Sequence, residues 1–211
     1  MFTEDEMTEK RDRNFFEMFG EGFEAALDLA IDNEAIKAVP IVGTAFKLLK
    51  GIDDIRSRVL VSKLHRFLSE PSLRAAMEAR TIRDEILNTP GRDQEIGETL
   101  FLTLEKVTDM TKPVLLANAY ASYISGDIEP LTFEAIAHAI DVSFLRDLLQ
   151  FLERDALSCD EVCLERLAAV GLIRVSDQTW NNSNMYGVTS LGMSLKTAVI
   201  LAQTGRRPTV F

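Results

Sequence analysis

The chain has 211 residues, of which 46% are hydrophobic and 27% are charged, and its formal net charge at pH 7 is −10. These values are typical of a soluble globular protein that is long enough for one large domain or two small ones. The charged N-terminus, MFTEDEMTEKRDR, predicts that there is no signal peptide. The longest apolar-rich run without charge, Ala38–Phe46, is far shorter than the roughly 20 residues of a membrane-spanning helix. We therefore expect a cytoplasmic protein, with any membrane contact peripheral to the inner membrane.

The charge is distributed in blocks along the chain. Residues 1–34 carry 11 acidic and 3 basic groups (net −8), and residues 35–83 carry 4 acidic and 10 basic groups (net +6). Residues 84–150 carry 12 acidic and 4 basic groups (net −8), and residues 151–211 balance at 6 and 6. One interpretation is that neighbouring helices of opposite sign pack together, with ion pairs at their rims. The other is that acidic segments mask a basic segment that binds a partner or a membrane.

Apolar spacing predicts two helices within residues 1–38, the first of them acidic. Pro40 ends the second helix, because proline lacks the backbone N–H and disfavours helix at the preceding residue. A long amphipathic helix then runs from Thr44 to Leu68, with apolar side chains on one side and Lys and Arg on the other. The segment 36–68 is therefore predicted to form a basic hairpin with an apolar turn at its tip.

This hairpin is the candidate contact surface of the protein. An amphipathic helix with a cationic polar face can lie in an anionic membrane interface or bind a protein partner. In the simpler arrangement the hairpin packs inside the domain, with its apolar stripe in the core and its cations paired with acidic neighbours. We expect the packed arrangement at rest and exposure only after a trigger. The predicted contact residues are Pro40, Ile41, Val42, Phe46, Lys47, Lys50, Arg56, Arg58, Lys63 and Arg66.

Proline, glycine and small polar residues divide the middle of the chain into three predicted helices. Ser72 is a candidate cap for the first, over 73–87, and an acidic helix over 93–110 follows. The third covers 114–124 and is predicted to end at Ser125, Gly126 and Asp127. Together with the hairpin, these helices form a predicted helical domain over residues 1–128, so the expected fold class is mainly α.

Residues 129–211 have a different pattern, which predicts a winged-helix-like domain with a small two-stranded wing. The predicted elements are helices at 132–140, 143–154 and 158–170, strands at 171–175 and 185–188, and a closing helix at 191–202. Gly171 is the predicted stop of the third helix, residues 178–184 form a polar turn between the strands, and Thr189 or Ser190 caps the closing helix. This order resembles a winged helix-turn-helix. The residues that carry the resemblance are Leu164, Leu167, Gly171, Leu172 and Ile173, followed by Tyr186, Val188, Thr189 and Gly192.

A winged helix that reads DNA needs Lys or Arg on its recognition helix, which faces phosphates and base edges. The helix in that place offers Asp160, Glu161 and Glu165 against a single Arg166. We therefore do not expect nucleic acid as a partner, and predict a protein-interaction or self-association unit. The candidate wing also lacks a cation, and its contact residues are Trp180, Asn181 and Asn182.

No pattern in the chain indicates a catalytic, cofactor or metal site. The two histidines, His65 and His138, stand in no ligand spacing with cysteine or a carboxylate, and His138 is expected to be partly buried. Cys159 and Cys163 are expected to pack as small apolar side chains on one helix face. The phosphate-loop, nucleophile-elbow and dinucleotide motifs are missing from the sequence. We therefore expect a protein that is not an enzyme and needs no cofactor.

The run I-x-x-V-P-I-V-G-T at 36–44, with I-R-S-R at 55–58 and K-L-x-R-F-L at 63–68, resembles a group of uncharacterised, mostly helical bacterial proteins. Residues 112–133 and 145–148 are similar to the middle of those proteins. The resemblance implies a bacterial cytoplasmic origin. Some helical bacterial proteins of this style belong to defence or mobile-element neighbourhoods. The group supplies no activity and no catalytic residues.

These observations predict a non-enzymatic interaction or effector protein, with anti-phage defence or stress response as the expected setting. The basic helix would contact a protein partner or the inner membrane surface, and the C-terminal unit would serve self-association or sensing. The alternative comes from another class of protein. It is a winged-helix transcription regulator whose N-terminal domain dimerises or senses a ligand.

Overall fold

The computed structural model describes residues 55–79, 92–153, 159–180 and 183–204. Within these ranges the chain is mainly helical and carries one small antiparallel sheet near its C-terminal end. The elements are α1 (Ile55–Leu68), α2 (Pro71–Glu78), α3 (Arg92–Lys106), α4 (Lys112–Ser125), α5 (Pro130–Val142), α6 (Leu145–Glu153), α7 (Glu161–Ala169), β1 (Ile173–Trp180), β2 (Ser183–Val188) and α8 (Ser190–Thr204).

Helix α4 is the centre of the fold. It packs against α1, α2, α5 and α8, and all but two of its 14 residues are buried. Alanines at positions 117, 119 and 121 let neighbouring helices approach closely. Tyr120 and Tyr123 of α4 meet Phe67 of α1 and Phe133 of α5, with ring centroids 5.5–6.0 Å apart. These aromatic contacts at preferred spacings join α1 to the consecutive helices α4 and α5.

The end of α4 follows from its sequence. Gly126 has a φ of 76°, in the left-handed region that residues with a β-carbon avoid. Its N–H donates to Tyr123 O at 2.9 Å, and the N–H of Asp127 donates to Ser122 O at 2.8 Å. These two bonds satisfy carbonyls that a helix end leaves open, so the predicted stop at 125–127 is confirmed.

The apolar stripes predicted for α1 and α3 form part of the core. Leu64, Phe67 and Leu68 of α1 are at most 4% exposed. In α3, Ile96 and Leu100 are at most 1% exposed. Burial of large apolar side chains at helical spacing stabilises each by roughly 1.5–3 kcal/mol relative to exposure.

Two predictions for this half of the chain are wrong in detail. Ser72 is not a cap, because α2 begins at Pro71 with Glu70 in the N-cap position, and the Ser72 hydroxyl donates to Asn118 Oδ1 of α4 at 2.7 Å. Helix α2 also ends at Glu78 rather than at residue 87. Proline suits the first position of a helix, where a missing N–H costs nothing, and this preference determined the start.

The connection from α7 to β1 confirms the predicted glycine stop. Gly171 has a φ of 80°, its N–H donates to Ala168 O, and the N–H of Leu172 donates to Leu167 O, each at 3.0 Å. This pair of bonds is the Schellman arrangement that ends many helices. The strands β1 and β2 pair antiparallel, with Ile173 opposite Val188. The hairpin is longer than predicted, since pairing continues to Trp180 and Ser183.

The start of α8 is held against β1 by a threonine and a glycine. The Thr189 hydroxyl donates to Gly171 O at 2.6 Å and accepts from the Gly192 N–H at 3.0 Å, so Thr189 caps α8. A β-carbon at Gly192 would overlap the carbonyl oxygen of Leu172 and lie 2.9 Å from Cγ1 of Val188. Only glycine lets the first turn of α8 lie this close to Leu172, just before β1, and to Val188 of β2.

The boundary predicted at residue 128 falls between α4 and α5, which pack against each other. A single cluster of buried side chains includes members of every helix from α1 to α8, from Leu64 to Val199. The division into domains at 1–128 and 129–211 therefore stays a prediction. The element order α5, α6, α7, β1, β2 matches the order predicted for the C-terminal part.

Candidate functional site

Of the two cations described on α1, Lys63 is buried against α3 and Arg66 is exposed. Lys63 is 5% exposed, and its Nζ donates to the backbone carbonyl of Glu105 at 2.9 Å. Burial lowers the pKa of Lys63, and the nearby Glu105 carboxylate opposes that shift. Arg66 is exposed, with Nη1 3.4 Å from the carbonyl of Met110. Both side chains thus contact backbone oxygens at the end of α3 and just beyond it.

Two other lysines make the same kind of contact. Lys112 is 5% exposed and its Nζ donates to Asp141 O at 2.8 Å, in the last turn of α5. Lys196 of α8 donates to Phe151 O at 2.8 Å, in the last turn of α6. The last carbonyls of a helix lack intrahelical partners and carry partial negative charge, so a cation stabilises them. Burial lowers the pKa of Lys112, with Asp141 and Asp109 opposing the shift.

The predicted contact residues on α1 differ in their exposure. Lys63 is buried and joins α1 to α3, so it forms no part of an exposed face in this arrangement. Arg66 is exposed and stays a candidate. Arg56 and Arg58 lie on α1, and nothing further is described of their side chains. The remaining predicted contact residues lie outside the described residues: Pro40, Ile41, Val42, Phe46, Lys47 and Lys50.

Helix α7 exposes acidic and apolar side chains. It begins after Asp160, whose Oδ1 accepts the Cys163 N–H at 2.8 Å and caps the helix. Glu161 and Glu165 are exposed one turn apart, and Val162 beside them is 56% exposed. We call Glu161, Val162 and Glu165, together with the neighbouring Phe144, the α7 face.

Phe144 joins this face through Arg166. The Arg166 guanidinium lies 5.4 Å from the centroid of the Phe144 ring, and Phe144 is 67% exposed. Arg166 also donates from Nε to Asp147 Oδ2 at 2.6 Å and from Nη2 to Asp147 Oδ1 at 2.9 Å. The Asp147 side chain is only 4% exposed, so this two-point pair ties α7 to α6. The hydrogen bond to Asp147 raises the pKa of Arg166, and the one cation of α7 is already bound to a carboxylate.

The wing residues are placed only in part. Trp180 is the last residue of β1 and pairs with Ser183. It is therefore a strand residue rather than part of a polar turn as predicted. Asn181 and Asn182 lie outside the described residues.

The cysteines and histidines of the described chain form no reactive centre. Cys163 is buried, and burial, followed by the neighbouring Cys159, raises the pKa of its thiol to about 12, which makes it a poor nucleophile at neutral pH. His138 is exposed, so its expected partial burial is wrong, because it falls on the outer side of α5. His65 is half-buried, and burial, then Arg74 and Arg66, lowers its pKa. Among the described residues no group of three or more His, Cys, Asp or Glu side chains could hold a metal ion.

Sequence reasoning missed Phe144, Val162 and Asp147. Asp147 and Arg166 are 19 residues apart, so no local spacing signals their pairing. An exposed Phe beside a helix start is indistinguishable in sequence from a core Phe. One signal was available in the sequence, the acidic outer side of α7. On its own it argues only against DNA binding.

Over the part of the chain that the structure describes, no helix has both the length and the apolar character needed to cross a membrane. No protein-family model, curated protein or solved structure matches the chain.

Proposed function

We propose that the chain is a non-enzymatic interaction protein whose winged-helix-like C-terminal unit binds a protein partner through the α7 face. The observation that carries this proposal is the exposure of Phe144 and Val162 beside Glu161 and Glu165. A large aromatic side chain that is 67% exposed is typical of a binding surface when it stands beside other apolar and charged groups.

The chemistry of the face defines the partner. Glu161 and Glu165 would meet lysines or arginines, and Phe144 and Val162 would fill an apolar depression between them. Aromatic side chains in a desolvated centre supply most interface energy, and surrounding charges set orientation and association rate. The partner is therefore a protein with a basic rim around an apolar pocket.

Photo-crosslinking tests this proposal directly. A benzophenone amino acid replaces Val162 on the α7 face, or Ala135, which is exposed on α5, in the full chain expressed in its source cells. We expect the probe at 162 to form one discrete crosslinked protein product and the probe at 135 to form none. The product should disappear when Glu161→Lys and Glu165→Lys are added.

Other outcomes separate the alternatives. A product that contains two copies of this chain assigns the α7 face to self-association. No product at 162, or the same product at both positions, contradicts the proposal. Urea unfolding midpoints of the two probe variants establish that both chains are folded.

The rival function is a winged-helix transcription regulator, which is supported by the element order alone. The acidic α7 face and the pairing of Arg166 with Asp147 argue against it, since few cations remain for phosphates. Steeply salt-dependent binding of duplex DNA would favour it.

The proposed role of segment 36–68 as a conditional contact surface stays open to test. Lys63 would first have to leave the carbonyl of Glu105, which makes exposure costly. Co-sedimentation with anionic vesicles, for the full chain and for residues 36–211, would show whether the N-terminal acidic segment masks binding. Absence of binding for both chains would remove the membrane role.

A further inference from the structure

A cavity of about 230 Å³ lies among helices α2, α4 and α8. One wall is polar and belongs to α4, where Asn118, Ser122 and Ser125 recur at helical spacing. The opposite wall consists of small and apolar residues of α2 and α8. Its members are Pro71, Ala75, Ala76, Ala198, Leu201 and Ala202.

The polar wall is unusual because α4 is the most buried helix described. Asn118 and Ser122 are each 5% exposed. The Asn118 Oδ1 accepts the Ser72 hydroxyl at 2.7 Å, whereas no described residue accepts from its Nδ2. Asn118 therefore offers the hydrogens of its Nδ2 at the cavity wall.

The charge around the cavity restricts what can enter it. Among the described residues, no Lys, Arg or His lines it, and the one ionisable side chain there is the exposed Asp127 carboxylate just after α4. An anion would therefore meet a carboxylate without any compensating cation. The volume is also below the roughly 300–1,000 Å³ of pockets for drug-sized ligands.

We propose that this cavity binds a small amphiphilic molecule that is uncharged or singly positive. Its apolar body lies against Ala75 and Leu201, and an acceptor on its polar end receives a hydrogen bond from Asn118 Nδ2. A positive group, where present, lies beside Asp127. The inference is independent of the α7 face, since no residue of that face lines the cavity.

Three probes of one shape and different charge test the proposal: benzamidine (positive), benzamide (neutral) and benzoate (negative). Saturation-transfer NMR with the full chain should detect benzamidine and benzamide and should not detect benzoate. Asp127→Asn should weaken benzamidine about threefold, the effect of an exposed ion pair, and leave benzamide unchanged.

A matched pair of alanine variants identifies the site. Ala75 and Ala135 are both exposed helical alanines, but only Ala75 lines the cavity. Ala75→Leu should weaken benzamide at least about tenfold, and Ala135→Leu should change it by less than about twofold.

Three results would overturn the proposal: no binding of any probe, benzoate binding as well as benzamidine, or equal effects of the two alanine variants. Asp127→Asn serves as the second variant if Ala75→Leu fails to fold, because Asp127 is exposed and its replacement leaves the packing intact. In that case an unchanged preference for benzamidine over benzamide contradicts the assignment.

Discussion

Helices α1 and α7 are both amphipathic and charged, yet they use charge in opposite ways. The described cations of α1 are Lys63 and Arg66, and they contact backbone carbonyls at the end of α3 and after it. The carboxylates of α7, Glu161 and Glu165, are exposed, and its one cation is bound by Asp147.

The difference shows that the sign of the charge on a helix does not by itself identify a contact surface. A lysine can extend its apolar stem through the core and place its ammonium on the open end of a neighbouring helix. A carboxylate gains no such contact at a helix C-terminus, where the partial charge is also negative. Basic residues can therefore bond to helix ends inside the fold, whereas Glu161, in the first turn of α7, and Glu165, one turn later, remain exposed.

The largest effect on stability is expected for a substitution at Gly192, in the first turn of α8. Gly192→Ala should lower the free energy of unfolding by about 3 kcal/mol, because the new β-carbon overlaps Leu172 O and approaches Phe151 Cζ to 3.1 Å. Urea unfolding measures this change. The matched control is Gly187→Ala, whose β-carbon would meet only the flexible Arg174 side chain at 3.2 Å and should cost less than about 1 kcal/mol. Equal costs would contradict the close approach of α8 to Leu172 and Val188.

An intermediate effect is expected at the pair that holds α7 on α6. Arg166→Ala leaves the Asp147 carboxylate, with 4% exposure, buried without its partner, so the urea midpoint should fall to a value between those of the two glycine variants. Asp147→Ala should cost less, because the partly exposed Arg166 regains water. The double variant should be more stable than the sum of the single changes predicts. Strict additivity would show that the pair contributes no coupling.

How much of this could be predicted from the sequence depends on the range of the interaction. The glycine stops at 126 and 171 and the cap of the last helix are local, so turn chemistry alone located the stops and limited the cap to Thr189 or Ser190. The buried stripes of α1 and α3 follow from helical spacing. The bonds of Lys63 and Lys112 to Glu105 and Asp141, and the pair of Asp147 with Arg166, join residues 19 or more positions apart.

The candidate site was therefore the least predictable part. The sequence placed the candidate contact surface on segment 36–68, with its apolar stripe packed in the domain at rest and the hairpin exposed only after a trigger. Whether a lysine points inward depends on which helix end lies opposite it, which no local pattern records. Phe144 and Val162 became visible as contact candidates only when their exposure was known.

A smaller effect is expected in the pH dependence of stability. It tests whether the Lys63 ammonium of α1 is buried. Because burial lowers the pKa of Lys63, the unfolded chain holds this proton more tightly than the folded chain. The stability of the wild type should therefore rise, relative to that of Lys63→Met, as the pH increases through the lowered pKa towards the ordinary value of 10.5. Urea midpoints across this range give the difference.

Lys106 provides the control for that experiment, because it is an exposed lysine in the same last turn of α3 that Lys63 contacts. Lys106→Met gives the baseline for the removal of an exposed ammonium from this turn, and the Lys63→Met curve is compared with it. A Lys63→Met curve that runs parallel to this baseline would show that the Lys63 ammonium is solvated in the folded protein.

The smallest effect is expected with DNA. Fluorescence anisotropy at low salt should detect no salt-dependent binding of a labelled duplex by the wild type. Glu161→Lys with Glu165→Lys should introduce weak binding that decreases as salt is added, since two phosphates then meet lysines instead of carboxylates. Tight, salt-dependent binding by the wild type would reverse the assignment of α7.

The contrast between inward cations and outward carboxylates is tested most directly by acetylating the native protein and measuring each lysine by mass spectrometry. Lys63 and Lys112, each 5% exposed, should react at least about tenfold more slowly than exposed Lys106, because their reaction requires local opening of the fold. If Lys63 reacts as fast as Lys106 while Lys112 stays protected, the cations of α1 face solvent, and α1 rather than α7 is the contact helix.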